Sequence, residues 1–191
     1  MTDERRVHPT MPTLRRRSFL RLGVAAAATA VITAPEEVFA AKYAAPSRRV
    51  SLLDAHTGET LTAEYWSKGH YVKDALRSLN KLLRDHRTGQ VHMIDPKLFD
   101  LIHLLQEKVG RKQPFHIVSG YRSPATNALL HRADDSVATH SYHMRGMAID
   151  LHLPGRTRDL YKAALRQRGG GVGWYPESDF VHVDVGPLRT W

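Results

Sequence analysis

The apolar positions of this chain change rhythm several times after residue 48, and each rhythm predicts an element. "RVSLLDAHTGETLTAEYW", residues 49–66, reads as two short strands about a turn at His56-Thr57-Gly58. From Tyr71 to Leu83 apolar residues fall at 72, 75, 76, 79, 82 and 83, the spacing of one helix face. Asp95-Pro96 opens a second helix, since aspartate caps and proline suits a first turn. It carries Leu98, Leu101, Ile102, Leu104, Leu105 and Val109 and stops at Gly110. "FHIVSGY" predicts a strand running into a loop, and "SPATNALLHRA" a short helix. Two further strands, "GMAIDLHL" and "DFVHVDVG", flank a helix from Thr157 to Arg168. "GGGVG" at 169–173 lacks the Lys-Ser/Thr of a phosphate loop and reads as a backbone turn beneath a site. The order predicts an α+β fold in which helices, gathered early, pack on a central antiparallel sheet formed late.

Alternation in the last two strands separates core from chemistry, because successive strand residues face opposite ways. In "AIDLHL", Ala148, Asp150 and His152 share one face, and Ile149, Leu151 and Leu153 the other. In "FVHVDV", Phe180, His182 and Asp184 oppose three valines. If the strands pair, Asp150 and His182 lie side by side, and His143 returns over a turn at Gly146 to join them. Such a set is either a polar surface turn beside two strand residues or two imidazoles and one carboxylate around a metal with one position open, the pattern of a catalytic zinc site. A hydrolytic metal needs a base for its water, and Asp179, three residues before His182, is the candidate. Three residues along one strand face opposite sides, so Asp179 serves only from the loop entering the strand; Glu177 is the reserve. Asp184 shares the face of His182 and is either an orienting partner for its ring or a solvated acid. His140 and His143 form H-x-x-H, a possible local pair, but Ser141, Tyr142 and Gly146 favour a loop there, leaving His140 as a candidate substrate contact.

The ends of the chain and its charge narrow the partners. A basic start, a 13-residue apolar run from Leu22 to Ala34 and then Pro35 predict a signal peptide over residues 1–40, cut after Ala40. The run is too short for a hydrocarbon core, which takes roughly 20 helical residues. Arg16-Arg17-Ser18-Phe19-Leu20-Arg21 resembles the twin-arginine signal that exports folded proteins; an ordinary secretory leader is the alternative. Residues 41–49 are expected to be a flexible lead-in and 50–191 the functional domain. Removing the six Lys/Arg and four Asp/Glu of the leader leaves 22 bases against 15 acids, a net charge of +7. That balance favours a carboxylate-rich polymer. The bases are interspersed with acids and no base-stacking motif occurs, so nucleic acid is not expected. The chain has no cysteine, so an exported fold of this kind rests on its core or on a metal held by His, Asp and Glu. A periplasmic monomer without a membrane span is expected.

"SGYRSPATNALL", "SYHMRGMAIDL" and "GVGWYPESDFVHVDVGPLRTW" together resemble the YcbK-like branch of the D-Ala-D-Ala carboxypeptidase and VanX-type zinc metallopeptidase superfamily, whose fold is shared more remotely with the hedgehog domain. The pattern S-x-H-x-x-G-x-A-x-D followed by D-x-x-H carries the resemblance. It implies one Zn²⁺ on His143, Asp150 and His182, with Asp179 as general base. It also implies that Arg122 holds a substrate carboxylate or polarises the scissile carbonyl, and that Ser141 supports the metal ligands. The expected activity is hydrolysis of peptidoglycan peptides. A non-catalytic zinc-containing wall-binding module is the alternative, and a non-haem iron oxygenase fits the longer ligand spacing poorly. Which peptide bond is cut does not follow from these residues.

Overall fold

The computed structural model describes residues 46–110, 112–134 and 137–191. The leader and most of the lead-in lie outside the described residues. Strand β1 (Arg48–Asp54) begins two residues ahead of the expected domain start and pairs antiparallel with β2 (Thr60–Ser67), making the predicted hairpin. A two-residue β3 (His70–Tyr71) turns the chain into α1 (Lys73–Leu82). Helix α2 (Pro96–Val109) starts where its signals place it: the Asp95 side chain accepts a hydrogen bond from Lys97 N at 2.9 Å, and Gly110 ends it at φ 87°. Then come β4 (Phe115–Ser119), α3 (Pro124–Ala133), β5 (Ala148–His152), α4 (Thr157–Gln167), β6 (Gly171–Tyr175), β7 (Phe180–Asp184) and β8 (Arg189–Thr190).

All eight strands form one sheet in the order β3-β2-β1-β4-β5-β7-β6-β8. The α+β class holds, with two refinements. The early hairpin joins the late strands, because β1 runs parallel to β4 with Leu52 beside Phe115. Parallel neighbours need a long crossover, and the stretch containing α1 and α2 supplies it. The glycine segment 169–173 runs into strand β6 at Gly171 instead of forming a turn beneath the site. A side chain at Gly171 would run into the Asp184 carboxylate, so the strand carries glycine where an acid must come close.

Helices α1, α2 and α4 and one sheet face enclose a single apolar cluster that includes Leu52, Tyr65, Phe99, Ile102, Phe115, Ile149, Leu151, Val181 and Val183. Each fully buried residue of this size contributes about 1.5–3 kcal/mol of transfer free energy, which lets this fold dispense with disulfides. Ile149, Leu151, Val181 and Val183 are all on that face, so alternation sends Asp150 and His182 to the other. The long segment between α1 and α2 anchors the loops over that second face. Leu83 O accepts from Tyr121 N at 2.8 Å, buried Asp85 accepts from Ser123 N at 2.9 Å through Oδ2, and Asp95 N donates to Gly146 O at 2.9 Å.

Candidate metal centre

Three loops and strands converge on one buried point. In β5 and β7, Asp150 sits directly opposite His182. His143 enters from a 3₁₀ turn, Tyr142–Arg145, that the Ser141 hydroxyl caps by accepting from His143 N at 3.3 Å. Gly146 closes the turn at φ 65°, a left-handed conformation natural to glycine, and a side chain there would strike Met93 O. The three ligand candidates are 1–8% exposed.

Their donor atoms are close enough to share a cation. His143 Nε2 lies 3.2 Å from Asp150 Oδ1 and 3.1 Å from His182 Nδ1, which is 2.8 Å from the same oxygen. A tetrahedral zinc with bonds of about 2.0–2.1 Å spaces its donors roughly 3.3 Å apart. Proton placement makes the case stronger than distance. His143 Nδ1 meets the carbonyl oxygen of Gly120 at 2.7 Å. A carbonyl only accepts, so Nδ1 carries the proton and Nε2 presents a lone pair. His182 faces a carboxylate oxygen from each nitrogen, Asp184 Oδ2 3.1 Å from Nε2 and Asp150 Oδ1 2.8 Å from Nδ1, so a cation that takes Nδ1 leaves the ring proton on Nε2, where Asp184 accepts it. Two ring nitrogens and a carboxylate oxygen thus face one another within 3.2 Å. A cation among them turns mutual repulsion into attraction.

The surrounding groups tune this set. Burial lowers the pKa of His143, favouring the neutral, ligating ring. Burial pushes the Asp150 carboxyl upward, but His143 and then His182 outweigh it and hold the group well below the usual carboxylate range. Burial also opposes charge on His182, yet hydrogen bonds to Asp150 and Asp184 prevail and raise it. A bound cation competes with that proton. Asp184 is itself fully buried and overcommitted as an acceptor. It takes Gly171 N at 3.0 Å, Gly186 N at 2.8 Å and Arg189 Nη2 at 2.6 Å besides His182, and is held well below the normal range despite burial.

A cleft of about 520 Å³ opens over the cluster, lined in part by Arg122, His140, Ser141, Tyr175, Phe180 and Trp191. Arg122 stands on its wall, but its fork is partly engaged: Nε donates to Ser119 Oγ at 2.8 Å and Nη2 pairs with Asp150 Oδ2. It thereby takes the second carboxylate oxygen and leaves Oδ1 to the histidines. A guanidinium has five N–H donors, so donors remain for a substrate oxygen. His140 lines the cleft and stands apart from the three-residue cluster.

Asp179 lies on the turn entering β7, as its proposed role requires, but its side chain is not on the cleft wall. Its Oδ2 lies 3.1 Å from His152 Nδ1, and it is flanked by Ser178 and Phe180, which do line the cleft. Glu177 is exposed and does not line it.

Sequence reasoning missed two supports of the cluster, the Gly120 carbonyl and Arg189, and the contact of His152 with Asp179. Arg189 stacks between the rings of Tyr142 and Trp191, 4.9 and 5.0 Å from their centroids, while clasping Asp184. No local spacing reveals this contact, because the Val185–Leu188 bend closes it. His152 did carry a signal, since alternation puts it on the face of Asp150.

The family model described as peptidoglycan L,D-endopeptidase MepK matches residues 42–191. The chain belongs to this family. Among curated relatives, the peptidoglycan L,D-endopeptidase MepK of Escherichia coli K12 is 41% identical over 177 residues, covering 92% of this chain and 96% of the relative. The probable peptidoglycan L,D-endopeptidase MepK of Haemophilus influenzae is 38% identical over 178 residues, covering 92% and 95%. The resemblance to D-Ala-D-Ala and VanX-type metallopeptidases read from the three sequence blocks is therefore that of the family itself.

Proposed function

We propose that this chain is an exported zinc peptidase that hydrolyses an L,D peptide bond of peptidoglycan, acting in the periplasm on cell-wall cross-links or stems. The observation that carries the zinc assignment is the convergence of three lone pairs from His143, Asp150 and His182. The bond class rests on the names of the relatives, and the anionic substrate suits a net charge of +7 once residues 1–40 are removed. Bound zinc supplies Lewis acidity toward a carbonyl oxygen and toward water.

The chain's own residues do the rest. Gly120 and Asp184 hold the two imidazoles in the tautomers that point lone pairs inward. Arg122 fixes Asp150 and offers its remaining donors to a substrate carboxylate or carbonyl. Asp179 takes the proton of the attacking water and returns it to the departing amine nitrogen. Tyr175, Phe180 and Trp191 give the cleft an apolar wall against which a peptide stem can lie.

Digesting purified peptidoglycan with the zinc-loaded protein and weighing the fragments tests this reading. The expected products are glycan strands freed of cross-links, or released stem fragments, with every glycosidic bond intact and new amino and carboxyl termini at an L,D bond. Release of fragments with only D,D bonds broken would contradict the bond assignment, and binding without release would leave a wall-binding module. Export is tested by replacing Arg16 and Arg17 with lysine and fractionating cells. Twin-arginine transport predicts retention of the precursor, whereas unchanged delivery would point to a general secretory leader.

A further inference from the structure

Asp179 and His152 are joined more closely than a surface ion pair requires. Asp179 is one of three described non-glycine residues with positive φ, at 47°, a conformation that costs most L-residues energy and aspartate less. His152 Nδ1 lies 2.8 Å from its backbone carbonyl and 3.1 Å from its Oδ2. The carbonyl can only accept, so the ring donates from Nδ1 to the Asp179 backbone, with the carboxylate of the same residue in ion-pair range of that nitrogen. The neutral ring suffices, and no change in its charge is invoked. The ring is held in turn: Thr157 Oγ1, buried at the start of α4, lies 3.2 Å from the same nitrogen, and His116 packs beside it with ring centroids 5.6 Å apart. Asp179 by contrast has a side chain 57% exposed, and its Oδ1 has no partner among the described residues. An exposed carboxylate left to itself samples several rotamers; this one projects from a backbone that His152 holds.

The position of the pair ties it to the chemistry. His152 shares the face of Asp150 and lies two residues along β5, about 7 Å away by strand geometry. Leu151 pairs with Val181, so the strand register carries His152 toward the entry of β7 where Asp179 stands. We infer that His152 is a positioning residue for Asp179: it fixes the backbone from which the carboxylate projects and keeps one carboxylate oxygen beside the ring, so that the free Oδ1 serves the reaction. This inference rests on the proposed role of Asp179 as base. Loss of an orienting hydrogen bond of this kind typically costs roughly 10–100-fold in activity.

The test uses soluble cross-linked disaccharide-peptide dimers and the zinc-loaded protein. His152→Ala is expected to lower kcat about 10–100-fold, with KM nearly unchanged and one zinc still bound. His152→Asn, whose amide N–H can occupy the place of Nδ1, should recover most of the rate, and His152→Gln should not. In an Asp179→Asn background, His152→Ala should cost nothing further. Long-range proton–nitrogen spectra of the histidine rings should show His152 protonated at Nδ1. An unchanged or raised kcat in His152→Ala, an additive loss in the double variant, or an Nε2-protonated ring would overturn the positioning role even if Asp179→Asn is inactive. An Asp179→Asn enzyme as fast as the parent with zinc bound would instead sink the base assignment, and the positioning role with it.

Discussion

Two protons determine what the His143–Asp150–His182 cluster can hold. One sits on His143 Nδ1 because Gly120 O faces it, and the other has Asp184 to receive it at His182 Nε2 when a cation takes Nδ1. Both partners can only accept, so the inward nitrogens are left as ligands. Asp184 deserves a direct trial because Arg189 and two backbone N–H groups hold it ionised. Replacing Asp184 by asparagine keeps the shape but presents a weaker acceptor, or an amide donor, to His182. The expected result is a zinc affinity lower by about 10–100-fold, measured by competition with a chelator, in a protein that still folds. Unchanged affinity would mean that the ring is fixed without Asp184. At this scale much was legible in the residues. Alternation put Asp150, His182 and Asp184 on one face, and D-x-x-H marked Asp179. The partners that set the tautomers were not legible, because a backbone carbonyl such as that of Gly120 has no signature in sequence.

Secondary elements place these atoms, and the joints between them are the vulnerable points. Helix-start signals and strand alternation predicted α2, α3 and the β5–β7 pair well, since Asp95, Pro124 and the alternating valines act locally. The segment from 84 to 95 was opaque, because its work is done through distant backbone atoms. Buried Asp85 is its hub. It accepts from Arg87 N at 2.9 Å within the loop and from Ser123 N at 2.9 Å at the start of α3, next to Arg122. Burial alone would raise its pKa, but hydrogen bonds from Thr126, Ser123 and Arg87 overcome this and hold it well below the usual 3.8. A carboxyl depressed on folding stabilises the protein above its unfolded pKa, and the benefit fades as pH falls through that value toward the folded one. Stability should therefore decline below about pH 4 in part through Asp85. Asp85→Ala should cost about 1–3 kcal/mol at pH 7, the scale of an unsatisfied buried group, and should flatten the acid limb. Urea unfolding at pH 7 and pH 3 measures both effects. An unchanged midpoint at pH 7 would show that the loop does not depend on this acid.

Across the whole molecule, the sheet does two jobs with opposite faces. One face builds the core with the helices, and the other carries the acids and imidazoles of β5 and β7. The α+β class was readable because helical and alternating patterns are separate along the chain. The parallel β1–β4 pairing, and the entry of the early hairpin into the same sheet, were not. They join residues more than sixty positions apart through contacts that no local pattern encodes. The functional claim also rests on distant residues, since the ligands, up to 39 positions apart, come from a turn and two strands brought together only by the completed fold. Its most direct test is a zinc titration of chelator-stripped protein, read as release of soluble fragments from purified cross-linked peptidoglycan. Release should be absent in stripped protein and rise to a plateau at one equivalent of zinc. It should stay absent at every zinc concentration in His182→Ala. Full digestion by the stripped protein, or by His182→Ala at one equivalent, would contradict the account.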